Sequence, residues 1–338
     1  MNLSWAPYTL NFTFDAKTSR TTMRRKDTWF IRMEDEQSKR VSVGEAAYFE
    51  GLSPEPRAEF ESELRRVCRN GKLESNLSSV RFAIESALIN QQRLADNEFT
   101  QGRIGIPING LIWMGDFSTM RRRIDEKLEQ GFNVLKLKIG GIRFDDELDL
   151  LRHIRKRYSA STVELRLDAN GAFNPADALE KLKRLSDFEI HSIEQPIKAG
   201  LYDDMAALCA QSPIDIALDE DLIGTRSHQE KEALLSKVAP AYIIIKPSLC
   251  GGLSGANEWA DLAEKKGIGW WATSALESNV GLLNLALWVF ERGVTMPQGL
   301  GTGMLYDNNF RSALELRGNK LFFNPDKICE YPDVQWQR

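Results

Sequence analysis

From Leu135 to Ile139, the stretch Val134-Leu135-Lys136-Leu137-Lys138-Ile139 alternates apolar and charged residues, and its reading decides the fold. Residues two apart on a strand face the same side, so Leu135, Leu137 and Ile139 share one face and both lysines share the other. The flanking segments Met120 to Gln130 and Asp146 to Arg157 carry helical spacing. A strand between two amphipathic helices packs its leucines against them and turns its lysines toward an interior.

The same unit recurs along the chain. Apolar runs fall at Ile106 to Met114, Val134 to Ile139, Val163 to Asp168, Ile190 to Glu194, Ile214 to Asp219, Tyr242 to Lys246, Ile268 to Ser274 and a short Gly299 to Gly303. Helical patterns such as Ala176 to Leu185 and Leu282 to Phe290 fill the gaps. Eight alternations predict an α/β fold of the (β/α)8 TIM-barrel type rather than an open sheet.

Such barrels carry reactive groups where the strands end. Five of these runs end on a charged residue: Lys138, Asp168, Glu194, Asp219 and Lys246, separated by 30, 26, 25 and 27 residues. One βα unit apart, they converge on one mouth. An interior holding Lys136, Lys138, Arg166, Asp168 and Asn170 would be very costly unless the charges paired or bound a metal. Asp168, Glu194 and Asp219 on consecutive strands suit a hard, oxygen-preferring cation such as Mg²⁺. Lys136 and Arg166 beside Lys138 would disfavour its charged form and fit it for proton abstraction. Lys246 would face it across the barrel, so that one lysine could abstract a proton while the other, kept charged, stabilises an enediolate together with Mg²⁺. Lys136 reads equally as an ion-pair partner.

Composition bounds the class. In 338 residues, 42% hydrophobic and 27% charged, there is material for more than one packed unit and no signature of disorder. A formal charge of −4 gives no overall basic field for nucleic acid, and no run of about twenty apolar residues predicts a membrane span. Cys68, Cys209, Cys250 and Cys329 are scattered, and the N-terminus lacks a signal-peptide pattern, so a reducing cytoplasm is expected. His153, His191 and His228 lie away from the strand ends, which leaves a Ser-His-Asp triad or His-rich zinc site without support.

The first hundred residues read differently. Leu10 to Phe14 and Thr28 to Met33 alternate like strands around the polar stretch Ala16 to Asp27, predicting a hairpin with a long loop. Pro56 to Arg69 and Ser79 to Gln92 predict helices, the second capped by Ser78 or Ser79. The expected division is an α+β capping domain over 1–105, a modified (β/α)8 barrel over 106–311, and a tail over 312–338 that returns to the capping domain.

Lys136-Leu-Lys138, Asp168-Ala-Asn170, Glu194-Gln-Pro196, Asp219-Glu220 and Lys246-Pro247 together make the chain resemble the muconate-lactonizing subgroup of the enolase superfamily. The resemblance implies Mg²⁺, with Mn²⁺ as a substitute, on Asp168, Glu194 and Asp219, and acid/base roles for Lys138 and Lys246. It further implies substrate contacts from Lys136, Asn170, Ser274, Gly301, Thr302 and a loop around Ser19, Arg20 and Met23, with Arg166 and Glu220 in support.

Subgroup members differ in reaction. Dipeptide epimerases carry an Asp-x-Asp at the eighth strand, where this chain has Gly299-Leu-Gly-Thr-Gly303. Thr273-Ser-Ala-Leu-Glu-Ser-Asn-Val-Gly281 resembles the Ser-rich stretch with which o-succinylbenzoate synthases bind a carboxylate. The implied reaction is syn dehydration of 2-succinyl-6-hydroxy-2,4-cyclohexadiene-1-carboxylate to 2-succinylbenzoate in menaquinone biosynthesis. N-acylamino acid racemase or dipeptide epimerase is the alternative within the subgroup, and a non-catalytic barrel the alternative of another class. The expected partner is a small carboxylate, with no nucleic acid or membrane, and the oligomeric state is left open.

Overall fold

The computed structural model describes residues 1–17, 22–71, 73–93 and 97–338. The chain opens on an antiparallel sheet, β1 (Asn2–Lys17), β2 (Thr22–Glu34) and β3 (Val41–Ala47), in the order β1-β2-β3. Helices α1 (Phe60–Asn70) and α2 (Ser78–Arg93) follow. Phe60, Leu64 and Val67 line one stripe of α1, and they meet Trp5, Trp29, Ile31 and Met33 of the sheet in a shared apolar core. Gly44 lets β3 approach α2 closely, since a Cβ there would stand 1.8 Å from the Ala83 carbonyl oxygen.

The hairpin is longer than its alternation predicts. Pairing runs out to Lys17 opposite Thr22 after a slip between Asn11 and Ala16, so most of the expected polar loop is strand. Met23 and Lys26 turn inward and are buried, while Arg24 reaches across to Asp15 at 2.8 Å. The unforeseen β3 is buried on both faces, so it carries no alternation to read.

The larger sheet is parallel and seven-stranded, in the order β11-β10-β9-β8-β7-β6-β5. After the two-residue β4 (Ile106–Pro107), strand and helix alternate: β5 (Gly110–Ile112), α3 (Phe117–Glu129), β6 (Val134–Lys138), α4 (Phe144–Arg155), β7 (Glu164–Asp168), α5 (Pro175–Ser186), β8 (Ser192–Glu194), α6 (Tyr202–Gln211), β9 (Asp215–Leu218), α7 (His228–Val238), β10 (Tyr242–Ile245), α8 (Gly252–Lys265), β11 (Gly269–Ala272) and α9 (Asn279–Glu291). Local signals start several helices. Asp116 accepts the Thr119 N–H at α3, Asn174 caps α5 ahead of Pro175, and Ser227 with Glu230 forms a capping box at α7. Leu135, Leu137, Leu165, Leu167, Ile193, Ile216, Leu218, Ile243 and Ile245 pack in the core they share with the helices. Each such side chain contributes about 1.5–3 kcal/mol on burial. The pleat therefore turns the alternate residues to the other face.

The expected first run splits into β4 and β5, and β4 pairs with a hairpin of β12 (Leu314–Arg317) and β13 (Lys320–Phe323). Gln337 forms a bridge with Trp5 at the start of the chain. Gly299 to Gly303 is not a strand. Three glycines in five residues weaken strand pairing, and this segment contributes only bridges, Gln298 to Ile108 and Gly299 to Thr273, which link the two edges of the sheet. Among the described residues, no helix is long and apolar enough to cross a membrane.

Candidate active site

Strand ladders bring the five strand-end groups together. Lys138 lies opposite Asp168 on β6 and β7, and Asp168 opposite Glu194 on β7 and β8. Lys136 Nζ stands 2.5 Å from Glu194 Oε2 and 3.1 Å from Asp168 Oδ2. Lys138 Nζ donates to Asp168 Oδ2 at 3.0 Å and to Asn170 Oδ1 at 2.8 Å, and Lys246 Nζ donates to Asp219 Oδ2 at 2.5 Å. Lone buried charges would cost several kcal/mol each. Here three ammonium groups answer three carboxylates.

Burial alone would lower Lys136, but Asp168, Glu194 and Asp219 outweigh it and hold the ammonium well above its ordinary range. Lys246 is raised against its burial by Asp219 and Glu220. Asp168 is buried too, yet Lys136, Lys138 and Lys246 hold it well below the usual carboxylate range. Burial, with Asp168 and Asp219 nearby, pushes Glu194 up to about 7 despite Lys136. Burial and Asp219 likewise push Glu220 up to about 7, and its Oε1 accepts from Asn170 Nδ2 at 3.1 Å.

Whether these groups suit a divalent cation can be tested on their oxygens. Glu194 Oε1 and Asp219 Oδ1 are buried with no hydrogen-bond partner among the described residues. Orphaned anionic oxygens on adjacent strands fit a hard cation. As placed, no three His, Cys, Asp or Glu side chains among the described residues converge closely enough to hold a metal ion. Lysines occupy the intervening positions.

The backbone at these strand ends is unusual. Asn170 and Gln195, each just beyond a strand-end carboxylate, adopt positive φ of 45° and 37°. Such strain persists only where surroundings fix it, and it clusters at functional sites. Gln195 is fixed through its side chain: Oε1 accepts the N–H of Asp219 at 3.1 Å and of Asp221 at 3.3 Å, and Nε2 donates to Asp221 Oδ2 at 2.8 Å. Sequence reading quoted Gln195 but gave it no role.

One cavity gathers Lys136, Lys138, Asp168, Asn170, Glu220, Lys246, Ser274, Gly301 and Thr302. Sequence reading missed its Phe49, Leu111 and Trp113, which lie outside any charged strand end, and Asn109, a polar residue inside an apolar run that could have been noticed. Ser274 differs from expectation. Its hydroxyl donates to Glu277 Oε2 at 2.5 Å and accepts the Leu276 and Glu277 N–H groups at 3.1 and 3.3 Å, so it is engaged within its own turn. The N–H groups of Ala275, Gly301 and Thr302 take no partner among the described residues. Arg166 also differs: it binds Glu164 at 2.7 Å and the Pro297 carbonyl at 2.8 Å and lies 4.4 Å over the Trp271 ring, where the strands start. Met23 is buried in an apolar cluster with Leu10, Phe12, Trp113, Leu276 and Tyr306. Ser19 and Arg20 lie outside the described residues. His153 pairs with Asp125, His228 with Glu258, and His191 stacks near Tyr242, all away from the cavity.

Residues 119–310 match the family model described as Enolase C-terminal domain-like. The o-succinylbenzoate synthase of Desulfotalea psychrophila is 42% identical over 95% of this chain and 98% of its own length. The crystal structure of MenC from that organism superposes with a TM-score of 0.85 and 40% identity, covering 95% of this chain and 99% of that one. The substrate-liganded L-Ala-D/L-Glu epimerase of Bacillus subtilis has a TM-score of 0.83 at 20% identity over 96% of both chains, a likeness of fold. With the family model over more than half its length and this relative over nearly all of it, the chain belongs to the enolase superfamily and, within it, to the o-succinylbenzoate synthase family.

Proposed function

We propose that the chain dehydrates 2-succinyl-6-hydroxy-2,4-cyclohexadiene-1-carboxylate to 2-succinylbenzoate, with Lys138 as the base that becomes the acid and Lys246 as the fixed cation. The observation that carries the assignment is the difference between the two lysines. Lys246 is held protonated by Asp219 and Glu220, whereas Lys138 hangs between Asp168 and the neutral Asn170 amide. Lys138 would take the ring proton next to the carboxylate and return it to the departing hydroxyl on the same face. One water leaves, and the ring becomes aromatic. The Lys246 ammonium would neutralise charge accumulating on the substrate carboxylate from the opposite side.

Asp168, Glu194 and Asp219 are the residues that would hold Mg²⁺, or Mn²⁺ in its place. When bound, the ion supplies positive charge to the substrate carboxylate. Phe49, Leu111, Trp113 and Leu276 offer the ring an apolar wall, and the unpartnered N–H groups of Ala275, Gly301 and Thr302 suit the succinyl carboxylate. The architecture we read is a closed (β/α) barrel over 106–311 with its eighth strand reduced to bridges, capped by 1–105 and joined by 312–338. A cytoplasmic setting fits this chemistry, as do Cys68, Cys209, Cys250 and Cys329, which form no disulfide.

The test is direct. With Mg²⁺ present, the protein should abolish the absorbance of the cyclohexadiene and yield one 2-succinylbenzoate per substrate. Incubation with N-acylamino acids in D₂O covers the alternative: α-proton exchange and racemisation without dehydration would replace this reading with a racemase.

A further inference from the structure

Behind the Ser274 side of the cavity lies a second group of buried charges that the proposed chemistry does not use. Glu277 is buried in the turn after β11, and its two carboxylate oxygens accept from the hydroxyls of Ser248 and Ser274. Ser248 stands two residues beyond Lys246. Glu45 of β3 accepts the Ser278 hydroxyl at 2.5 Å, the Ser278 N–H at 2.9 Å, the Gly281 N–H at 3.1 Å and the Thr28 hydroxyl at 2.9 Å. Lys26 of β2 is buried, and its Nζ makes no hydrogen bond among the described residues. Burial lowers its pKa, and the Glu45 and Glu277 charges oppose this. The charges of two carboxylates from different parts of the chain thus reach Lys26, although neither makes a hydrogen bond with it.

The turn that Glu277 closes is strained. Leu276 adopts φ of 61°, and its side chain lines the cavity. Two contacts hold it there: Ser274 Oγ accepts its N–H and Tyr306 donates to its carbonyl at 2.7 Å, and Ser274 is itself held by donating its hydroxyl to Glu277.

We propose that Glu277 is a positioning residue for substrate binding. It locks the Ser274–Glu277 turn so that the Ala275 N–H and the Leu276 side chain meet the substrate's arm, while Glu45 ties the adjoining Ser278 and Gly281 to the N-terminal sheet. The inference rests on the function proposed above, which makes this turn the wall that receives the succinyl group.

Glu277→Gln keeps the shape but sets an N–H₂ against one of the two hydroxyls, which frees the turn and leaves Lys138, Lys246 and the three carboxylates untouched. Lost positioning of a bound group appears in KM rather than kcat. For E277Q, we expect KM for the cyclohexadiene to rise about tenfold with kcat held within about threefold. The calorimetric Kd for 2-succinylbenzoate should rise by a similar factor. A variant with lowered Tm but wild-type KM and product Kd would make Glu277 a purely structural residue and overturn the inference alone. A wild-type protein inactive on the cyclohexadiene would overturn the function and this inference with it. Should E277Q not fold, Ser248→Ala, which removes one donor from the same carboxylate, carries the same test: raised KM and product Kd support the proposal, and unchanged values refute it.

Discussion

Replacing Lys136 by methionine keeps the length of the side chain and removes its charge from the centre of the site. The ammonium is 2.5 Å from Glu194 and 3.1 Å from Asp168 on a side chain only 5% exposed, so its loss leaves Glu194 without its cation and Asp168 with only Lys138 close by. Breaking a buried pair on one side costs about 3–5 kcal/mol. Unfolding entropy of about 2.1 cal/mol/K per residue gives about 0.7 kcal/mol/K for 338 residues, so Tm should fall by about 4–7 °C. A divalent cation can replace the missing charge. At a hundred times its Kd, a ligand adds about 2.7 kcal/mol, or about 4 °C on the same scale. On the metal site proposed above, Lys136 would compete with a cation for Glu194 and Asp168, so the Mg²⁺-induced rise should be larger in K136M than in the wild type. Differential scanning calorimetry of both proteins with and without MgCl₂ measures all four values. A fall of under about 1 °C without Mg²⁺, or equal Mg²⁺ increments in the two proteins, would refute the reasoning that Lys136 holds these carboxylates in place of a metal.

Lys138→Ala and Lys246→Ala should each lower kcat by about 10²–10⁴ while the Mg²⁺-induced Tm rise survives; steady-state kinetics beside calorimetry decides it. Glu147, buried in the first turn of α4 and accepting the N–H of Gly140 in the loop after β6 at 2.6 Å, gives a pH test. Burial pushes its carboxyl up to about 7 against the hydrogen bonds it accepts. The folded chain therefore holds that proton more tightly than the unfolded one, so this group's stabilising effect is complete in acid and is lost as pH rises to about 7. Glu147→Gln lacks this loss and should be more stable than wild type by about 1–3 kcal/mol at pH 8, with the gain vanishing near pH 4; a flat difference across urea melts would count against it. Thr302→Val removes a buried hydroxyl oxygen that has no partner among the described residues, so stability should hold or rise by about 1 kcal/mol while KM increases. An unchanged KM would limit the part of Thr302 in the binding wall to its backbone N–H.

What the sequence discloses follows from what strand geometry repeats. Lys136 and Lys138 could be placed on one face, and Asp168, Glu194, Asp219 and Lys246 at successive ends, because period-two alternation and βα spacing are local properties. The order of the parallel sheet follows that spacing, and ion pairs join Lys136 to Asp168 and Glu194, Lys138 to Asp168, and Lys246 to Asp219. Other parts depend on partners far away in the chain. β3 is covered on both faces and shows no alternation, and the long hairpin owes its outer pairs to the inward turn of Met23 and Lys26. The Ser274 hydroxyl was legible as a polar group at a strand end, but its engagement by Glu277 depends on the turn geometry around Leu276. Arg166 shares a face with Asp168, yet it lies one layer lower, where Glu164 and Trp271 claim it.

The two sheet edges meet at residues 298 and 299, through a few backbone bonds and the Gln298 side chain, whose Oε1 accepts the Ala272 N–H at 2.7 Å. The lysines and carboxylates to which we assign proton transfer and cation binding stand away from that junction, along the laddered strands from β6 to β10. The charged groups thus sit on laddered strands, whereas the glycine-rich segment from Gly299 to Gly303, which lends Gly299, Gly301 and Thr302 to the cavity wall, carries no lysine or carboxylate. A substitution in that segment would reshape the wall and leave the ion pairs among the lysines and carboxylates in place.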